Sequence, residues 1–145
     1  MMLKQISVFL ENKKGTLAEA TKVLADNDID LIALSIADTT DFGIMRCIVD
    51  KPEQAMKLLS SNGFAVSTTE VLAVQVPDVP GGLAQVLGIL NREDINVEYL
   101  YSFVRTPNEY ALILFRVDDN VRCMQALSDN SIVFLTGEQI YHMGE

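Results

Sequence analysis

The sequence predicts an α+β protein built as two βαββαβ units in tandem, each an antiparallel sheet with its helices on one face. Three observations predict it. The chain of 145 residues repeats itself in register over most of its length. Each copy alternates short runs rich in branched residues with two amphipathic stretches. A glycine stands at the same corner of both copies, after the first strand and before the first helix.

The repeat is explicit. Gly15 and Gly81 stand 66 residues apart, as do Leu17 and Leu83, Leu24 and Leu90, Asp28-Ile29 and Asp94-Ile95, and Leu34 and Leu100. Beyond the next hairpin the spacing becomes 68, pairing Asp50 with Asp118, Met56 with Met124, Leu59 with Leu127 and Glu70 with Glu138. The two extra residues fall in a loop, where insertion costs little. A period of nearly 70 residues is too long for a solenoid unit and matches a small domain, which sets the expected domains at 1–69 and 70–145.

In the first copy, residues 4–10 are a short β-rich run. Gly15-Thr16 opens a helix on which Leu17, Ala20, Val23, Leu24 and Asn27 share one side. A strand over 29–37, a turn at 38–41 and a strand over 43–50 follow. Pro52 begins a second helix, where its missing N–H does no harm, and Asn62-Gly63 ends it. Residues 64–69 run into a strand over 71–76 that belongs to both copies.

The second copy repeats this order. It has a helix over 82–92, a strand over 95–104, a turn at 105–108, a strand over 110–117, a helix over 120–128 capped by Asp118-Asp119, and a last extended stretch through Tyr141. That makes 138–142 a third version of the strand at 4–10 and 70–76. The βαββαβ order is that of ferredoxin-like folds. Alternation in the strand over 95–104 places Val97, Tyr99, Tyr101 and Phe103 on one side and Leu100 and Val104 on the other, apolar on both. Such a sheet is expected to be covered by more than its own helices.

Composition excludes several classes. A net charge of −9 is repelled by phosphate backbones, so no nucleic-acid partner is expected. No apolar run reaches the roughly 18–20 residues that span a bilayer, so no membrane partner is expected. The N-terminal MMLKQISVFLENKKG has no signal-peptide pattern. Cys47 and Cys123 form no CxxC pair, and with one histidine they leave little for a metal. Neither metal nor cofactor is expected, and the cytoplasm is the expected compartment.

The corner before each first helix carries the best signal for a site. It reads Glu11-Asn12-Lys13-Lys14-Gly15-Thr16-Leu17 in one copy and Pro77-Asp78-Val79-Pro80-Gly81-Gly82-Leu83 in the other. Glycine permits a sharp turn or close approach, and the following helix offers N–H groups and a positive dipole end that suit a carboxylate. Asn12 or Asp78 suits an amino group. A purely structural account is also open, because Asp and Asn favour turns and Gly-Gly is a tight one.

On these residues both halves resemble ACT domains, small regulatory modules that bind amino acids. The matching segments are ENKKGTLAEATKVLADNDIDL and PDVPGGLAQVLGILNREDINV, and the resemblance covers essentially the whole chain as a tandem pair. The second half keeps Asp78, Pro80, Gly81, Leu83, Ile95, Asn96 and Val97 of the family's pattern. The first keeps Asn12, Gly15 and Leu17, departing at Lys14, often proline in the family, and at Asp30, often asparagine. The resemblance implies ligand contacts at interfaces between ACT units. They fall on Asn12, Lys14, Gly15, Thr16, Leu17 and Asp30, and on Asp78, Pro80, Gly81, Gly82, Leu83 and Asn96, with Tyr99 and Tyr101 lining a pocket. It also implies a non-enzymatic sensor, a homodimer, and an unidentified protein partner.

Two alternatives stand beside it. An enzyme needs a convergent nucleophile, base or metal set. Here His142 lies near the chain end, and the cysteines read as small packing residues. An interaction module that assembles without a ligand has the same fold signature.

Overall fold

A computed structural model describes residues 2–38, 41–103 and 110–143. In chain order the elements are β1 (Leu3–Glu11), α1 (Thr16–Asp26), β2 (Leu31–Asp38), β3 (Phe42–Val49), α2 (Pro52–Ser61), β4 (Ala65–Pro77), α3 (Gly82–Arg92), β5 (Val97–Ser102), β6 (Tyr110–Val117), α4 (Asn120–Asp129), β7 (Phe134–Leu135) and α5 (Gly137–Tyr141). The expected hairpin turns involve Thr39, Thr40 and residues 104–109, which lie outside the described residues, as does Val104.

Two units divide the chain. The first comprises Lys4–Thr69 with Tyr141 to Met143, and the second Glu70–Ile140 with Met2 and Leu3. β4 is one strand whose residues 65–69 belong to the first unit and 70–77 to the second.

The first unit orders its strands β2-β3-β1-β4, with β1–β3 and β2–β3 antiparallel. Ile6, Val8 and Leu10 of β1 join Met45, Cys47 and Val49 of β3 on one face. Against that face pack Ala20 and Leu24 of α1 and Ala55 and Leu59 of α2. The second unit orders its strands β5-β6-β4-β7, with every pairing antiparallel. Its core joins Leu72, Val74 and Val76 of β4 to Val86 and Leu90 of α3 and to Cys123 and Leu127 of α4. Each fully buried leucine contributes roughly 2 kcal/mol of transfer free energy. These are tandem ferredoxin-like units.

The duplication reaches the backbone. Gly15 and Gly81 have φ of 91° and 85°, and Asp28 and Asp94 both have 56°. Gly63 and Ser131, which follow the second helix of each unit, have 89° and 59°. The side chains of Asn62 and Asn130 each donate to the carbonyl four residues back, at 2.7 and 2.8 Å.

Three expectations are corrected. The strand over 95–104 does not alternate as its sequence suggests. An irregularity between Val97 and Tyr99 puts Val97 and Leu100 on the same core, while Tyr99 and Tyr101 pair with Arg116 and Leu114 on the other face. The first unit has the same irregularity between Leu31 and Ala33, which brings Leu31 and Leu34 to one core. An extra residue in one strand resets the inward side.

Next, Leu17 does not join the buried stripe of α1. It is 40% exposed, whereas Ala20 and Leu24 are buried.

Last, 138–142 is not a strand. β7 ends at Leu135, and α5 covers Gly137–Tyr141. Thr136 starts that helix: its N–H donates to Oε1 of Gln139 at 2.8 Å, and the N–H of Gln139 donates back to its hydroxyl at 3.3 Å. This reciprocal capping box satisfies two amides that a short strand would leave open.

The sheet faces turned away from the helices are dry in part. Gln5, Ala33 and Ile48 in the first unit, and Ala73, Leu112 and Leu114 in the second, are fully buried without belonging to either helix-facing cluster.

Candidate functional site

The glycine corners form because a strand must reverse into a helix within a few residues. At the end of β1 the N–H of Asn12 donates to Asp41 O at 3.0 Å and that of Lys13 to Glu11 O at 2.8 Å. Gly15 then takes a left-handed conformation as the N-cap of α1, and its carbonyl accepts from Glu19 N–H at 2.9 Å. At the second corner Gly81 caps α3, and its carbonyl accepts from Gln85 N–H at 2.9 Å. A glycine cap has no side chain to place on the first-turn amides, so neither helix start is sealed by its own cap residue.

The corners differ one residue later. Thr16 carries a half-buried side chain at the position where the second corner has buried Gly82. A Cβ at Gly82 would lie 2.0 Å from Pro77 O. The second turn is also the tighter: Gly82 N–H reaches Val79 O at 3.0 Å, against 3.4 Å from Thr16 to Lys13.

Beside each corner lies a hollow at an equivalent place in the repeat. The first, about 280 Å³, is lined by Glu11, Lys13, Thr16 and Glu19 together with Phe9 and the 62–64 turn. An exposed ion pair joins Lys13 Nζ to Glu11 Oε2 at 3.1 Å. The second, about 170 Å³, is lined by Gln75, Pro77 and Tyr110 with residues 131–133. Phe9 corresponds to Gln75, Glu11 to Pro77, Gly63 to Ser131 and Phe64 to Ile132. Of the residues singled out from the sequence, only Thr16 lines the first hollow. Asn12, Lys14, Gly15 and Leu17 are exposed on the same corner, as are Asp78, Pro80 and Gly81 on the other, with Leu83 half-buried. Sequence reasoning missed the 62–64 and 131–133 turns. Asn62-Gly63 signals a helix stop, and nothing local shows that this stop returns beside the glycine corner.

Asp30 and Asn96 sit elsewhere. Their N–H groups donate to Oδ1 of Asp50 and Asp118 at 2.9 and 3.1 Å, and the N–H groups of those aspartates donate back to O of Asp30 and Asn96 at 3.2 and 3.1 Å. These clasps lie at the far ends of α1 and α3. Each helix has 11 residues, which spans roughly 16 Å. Within one unit the glycine corner and Asp30, or Asn96, are therefore not brought together. Asp30 lines a separate, shallow hollow of about 430 Å³ with Ala18, Thr21 and Ile29.

Tyr99 and Tyr101 stack with ring centroids 6.4 Å apart and planes 17° apart. Both are half-buried on β5, and neither lines the hollow at the Gly81 corner, where Tyr110 stands instead. Burial pushes the thiol of Cys47 up to about 12, and burial with the charges of Asp118 and Asp119 pushes that of Cys123 up to about 12. A thiol held so far from ionisation is a packing group at neutral pH. Among the described residues no group of three His, Cys, Asp or Glu side chains is placed to hold a metal ion, and no helix is long and apolar enough to cross a membrane.

Paired βαββαβ units with matched glycine corners define a duplicated ferredoxin-like protein. The chain belongs to the ACT domain pair family, whose profile matches residues 1–144. It is similar to a protein of known structure from Bacteroides thetaiotaomicron: 44% sequence identity, TM-score 0.92, with 98% of this chain and 97% of that chain covered. It is also similar to the ligand-free regulatory subunit of aspartate kinase from Thermus thermophilus, with 13% identity, TM-score 0.64 and coverage of 89% and 93%. The regulatory subunit of aspartate kinase from Thermus flavus gives 12% identity, TM-score 0.63 and coverage of 89% and 92%. The two kinase subunits share the fold. No curated protein matches the chain.

Proposed function

We infer that this protein is a non-enzymatic cytoplasmic regulator that binds an amino acid at its glycine corners. Residues 1–69 and 70–145 act as its two ACT domains, and the chain works as a homodimer without a cofactor. The observation that carries this reading is the hollow lined by Thr16 at the glycine-capped start of α1, with a second hollow, lined by Pro77, at the equivalent place of the other repeat.

The amides that open α1 and α3, around Gly15-Thr16-Leu17 and Gly81-Gly82-Leu83, take the ligand carboxylate. Asn12 and Asp78 take its ammonium, with Lys14 and Pro80 shaping the turns. Each corner is separated from Asp30 or Asn96 of its own unit by a helix length. A second copy of the chain completes the sites, bringing Asp30 from its first unit, or Asn96 and the Tyr99–Tyr101 pair from its second, as its side of the interface. Regulatory subunits of this fold supply the analogy at the level of architecture. Binding transmits a signal because affinity differs between two quaternary states, and an unidentified protein partner reads the result.

A melting-temperature screen against the twenty amino acids tests the reading. One of them should raise the melting temperature, by the equivalent of about 2.7 kcal/mol at one hundred times its dissociation constant. The rise should vanish in the Asn12→Ala, Asp78→Ala double variant while the unliganded melting temperature holds. A flat screen overturns it.

A second reading, an assembly module that needs no ligand, is favoured by Phe9 and Phe42, which are 45% and 57% exposed. A flat screen with self-association lost in Phe42→Ser would establish it.

A further inference from the structure

The two hollows beside the glycine corners stand at equivalent places and are lined by different chemistry. Phe9, Glu11, Lys13, Glu19 and Phe64 line the first. Its lining sets two carboxylates against one ammonium, and that ammonium is already engaged, Lys13 Nζ lying 3.1 Å from Glu11 Oε2. Lys14, the other cation of the corner, does not line the hollow. Among the described residues nothing pairs with the carboxylate of Glu19.

A carboxylate near the start of a helix suits the helix dipole, which by itself accounts for Glu19. It does not account for the rings beside it. Phe9 is 45% exposed, and Phe64 is half-buried against the first core. A carboxylate together with aromatic rings is the combination that suits a guanidinium. That group is planar and weakly hydrated, gives a carboxylate two parallel N–H bonds, and stacks on rings.

The repeat supplies the control. At the positions of Phe9, Glu11, Glu19 and Phe64 the second unit has Gln75, Pro77, Gln85 and Ile132. Every group that suits a guanidinium is replaced, and no charged residue lines the second hollow. The first hollow is also the larger, about 280 Å³ against about 170 Å³, which favours a longer side chain.

We propose that the hollow at the first corner selects an amino acid with a guanidinium side chain, and that the second takes an uncharged one. The inference rests on the glycine-corner reading and adds the side-chain class to it. With the ligand carboxylate at the amides that open α1, the side chain enters the hollow, where Glu19 takes the guanidinium and Phe9 and Phe64 supply the rings. Glu19 is exposed, so the preference is modest, about fivefold for an exposed ion pair with an aromatic contact.

Arginine is the probe. Citrulline has the same length and a neutral urea head, and agmatine has the guanidinium without the carboxylate. Full-length protein with isotope-labelled glycine separates the sites by NMR: Gly15 and Gly63 report the first corner and Gly81 the second. Arginine should shift Gly15 and Gly63 saturably and bind there about fivefold tighter than citrulline, a preference that shrinks at about 0.5 M salt. At Gly81 arginine should have no advantage. Glu19→Gln should bring arginine to within about twofold of citrulline and leave citrulline unchanged. Agmatine should bind the first corner more weakly than arginine. No shift at Gly15 and Gly63 with arginine overturns the inference. Equal binding of arginine and citrulline, a preference that survives Glu19→Gln, or the same preference at Gly81 overturns the guanidinium class and leaves the corner reading standing. Agmatine binding as tightly as arginine overturns the corner reading instead, and with it the amino acid as the source of the guanidinium.

Discussion

The two glycine corners share a backbone and differ in what they tolerate. Gly15 and Gly81 agree to within a few degrees, with φ of 91° and 85°. Yet Thr16 carries a side chain where Gly82 has no room for a Cβ. The helix starts after the next hairpin diverge as well: Lys51 precedes α2 without a side-chain cap bond, whereas Asp119 caps α4 by accepting from Arg122 N–H at 3.1 Å. Duplication has preserved conformation, set by chain reversal and core registry. The local chemistry that secures each conformation has drifted apart.

The comparison breaks first at the cores. Leu59 and Leu127 are both fully buried at matching places, so Leu59→Ala and Leu127→Ala should each cost roughly 3 kcal/mol in urea unfolding. Unequal losses would show that the two cores do not carry equal weight. Next come the corners. Gly82→Ala should cost about 2 kcal/mol, because the new Cβ must push the Pro77 carbonyl aside. Thr16→Ala should stay within roughly 0.5 kcal/mol.

Third are the thiols, one in each core. Both are raised from 9.0 to about 12 in the fold. The unfolded thiol ionises first, so their contribution is whole below pH 9 and is lost as pH rises from there toward 12. At pH 10 each should account for on the order of 1 kcal/mol of lost stability, read as the difference between the parent and Cys47→Ala or Cys123→Ala across a pH series. The smallest contrast is the caps. Asp119→Ala should cost about 1 kcal/mol and Lys51→Ala almost nothing, measured by thermal unfolding.

What the sequence reveals is whatever depends on neighbours along the chain. Pro52 marks the start of α2, Asn62-Gly63 its end, and the span of α3 follows from its glycines and its apolar spacing. The irregularities at Leu31/Ala33 and Val97/Tyr99 are not legible this way, since an extra strand residue exists only relative to a partner strand. The end of the chain is a different case. Thr136-Gly137-Glu138-Gln139 carries a capping-box pattern, which the likeness of 138–142 to an earlier strand masks. At the candidate site, the corners themselves are readable. The 62–64 and 131–133 turns beside them come from distant segments.

Crowding at position 82 sets unequal terms for engineering. Saturation libraries aimed at the first corner can include position 16. At the second they must hold Gly82 constant and draw diversity from Asp78, Val79 and Pro80, all of which face solvent. Selection for altered recognition therefore has one more degree of freedom in one repeat than in the other.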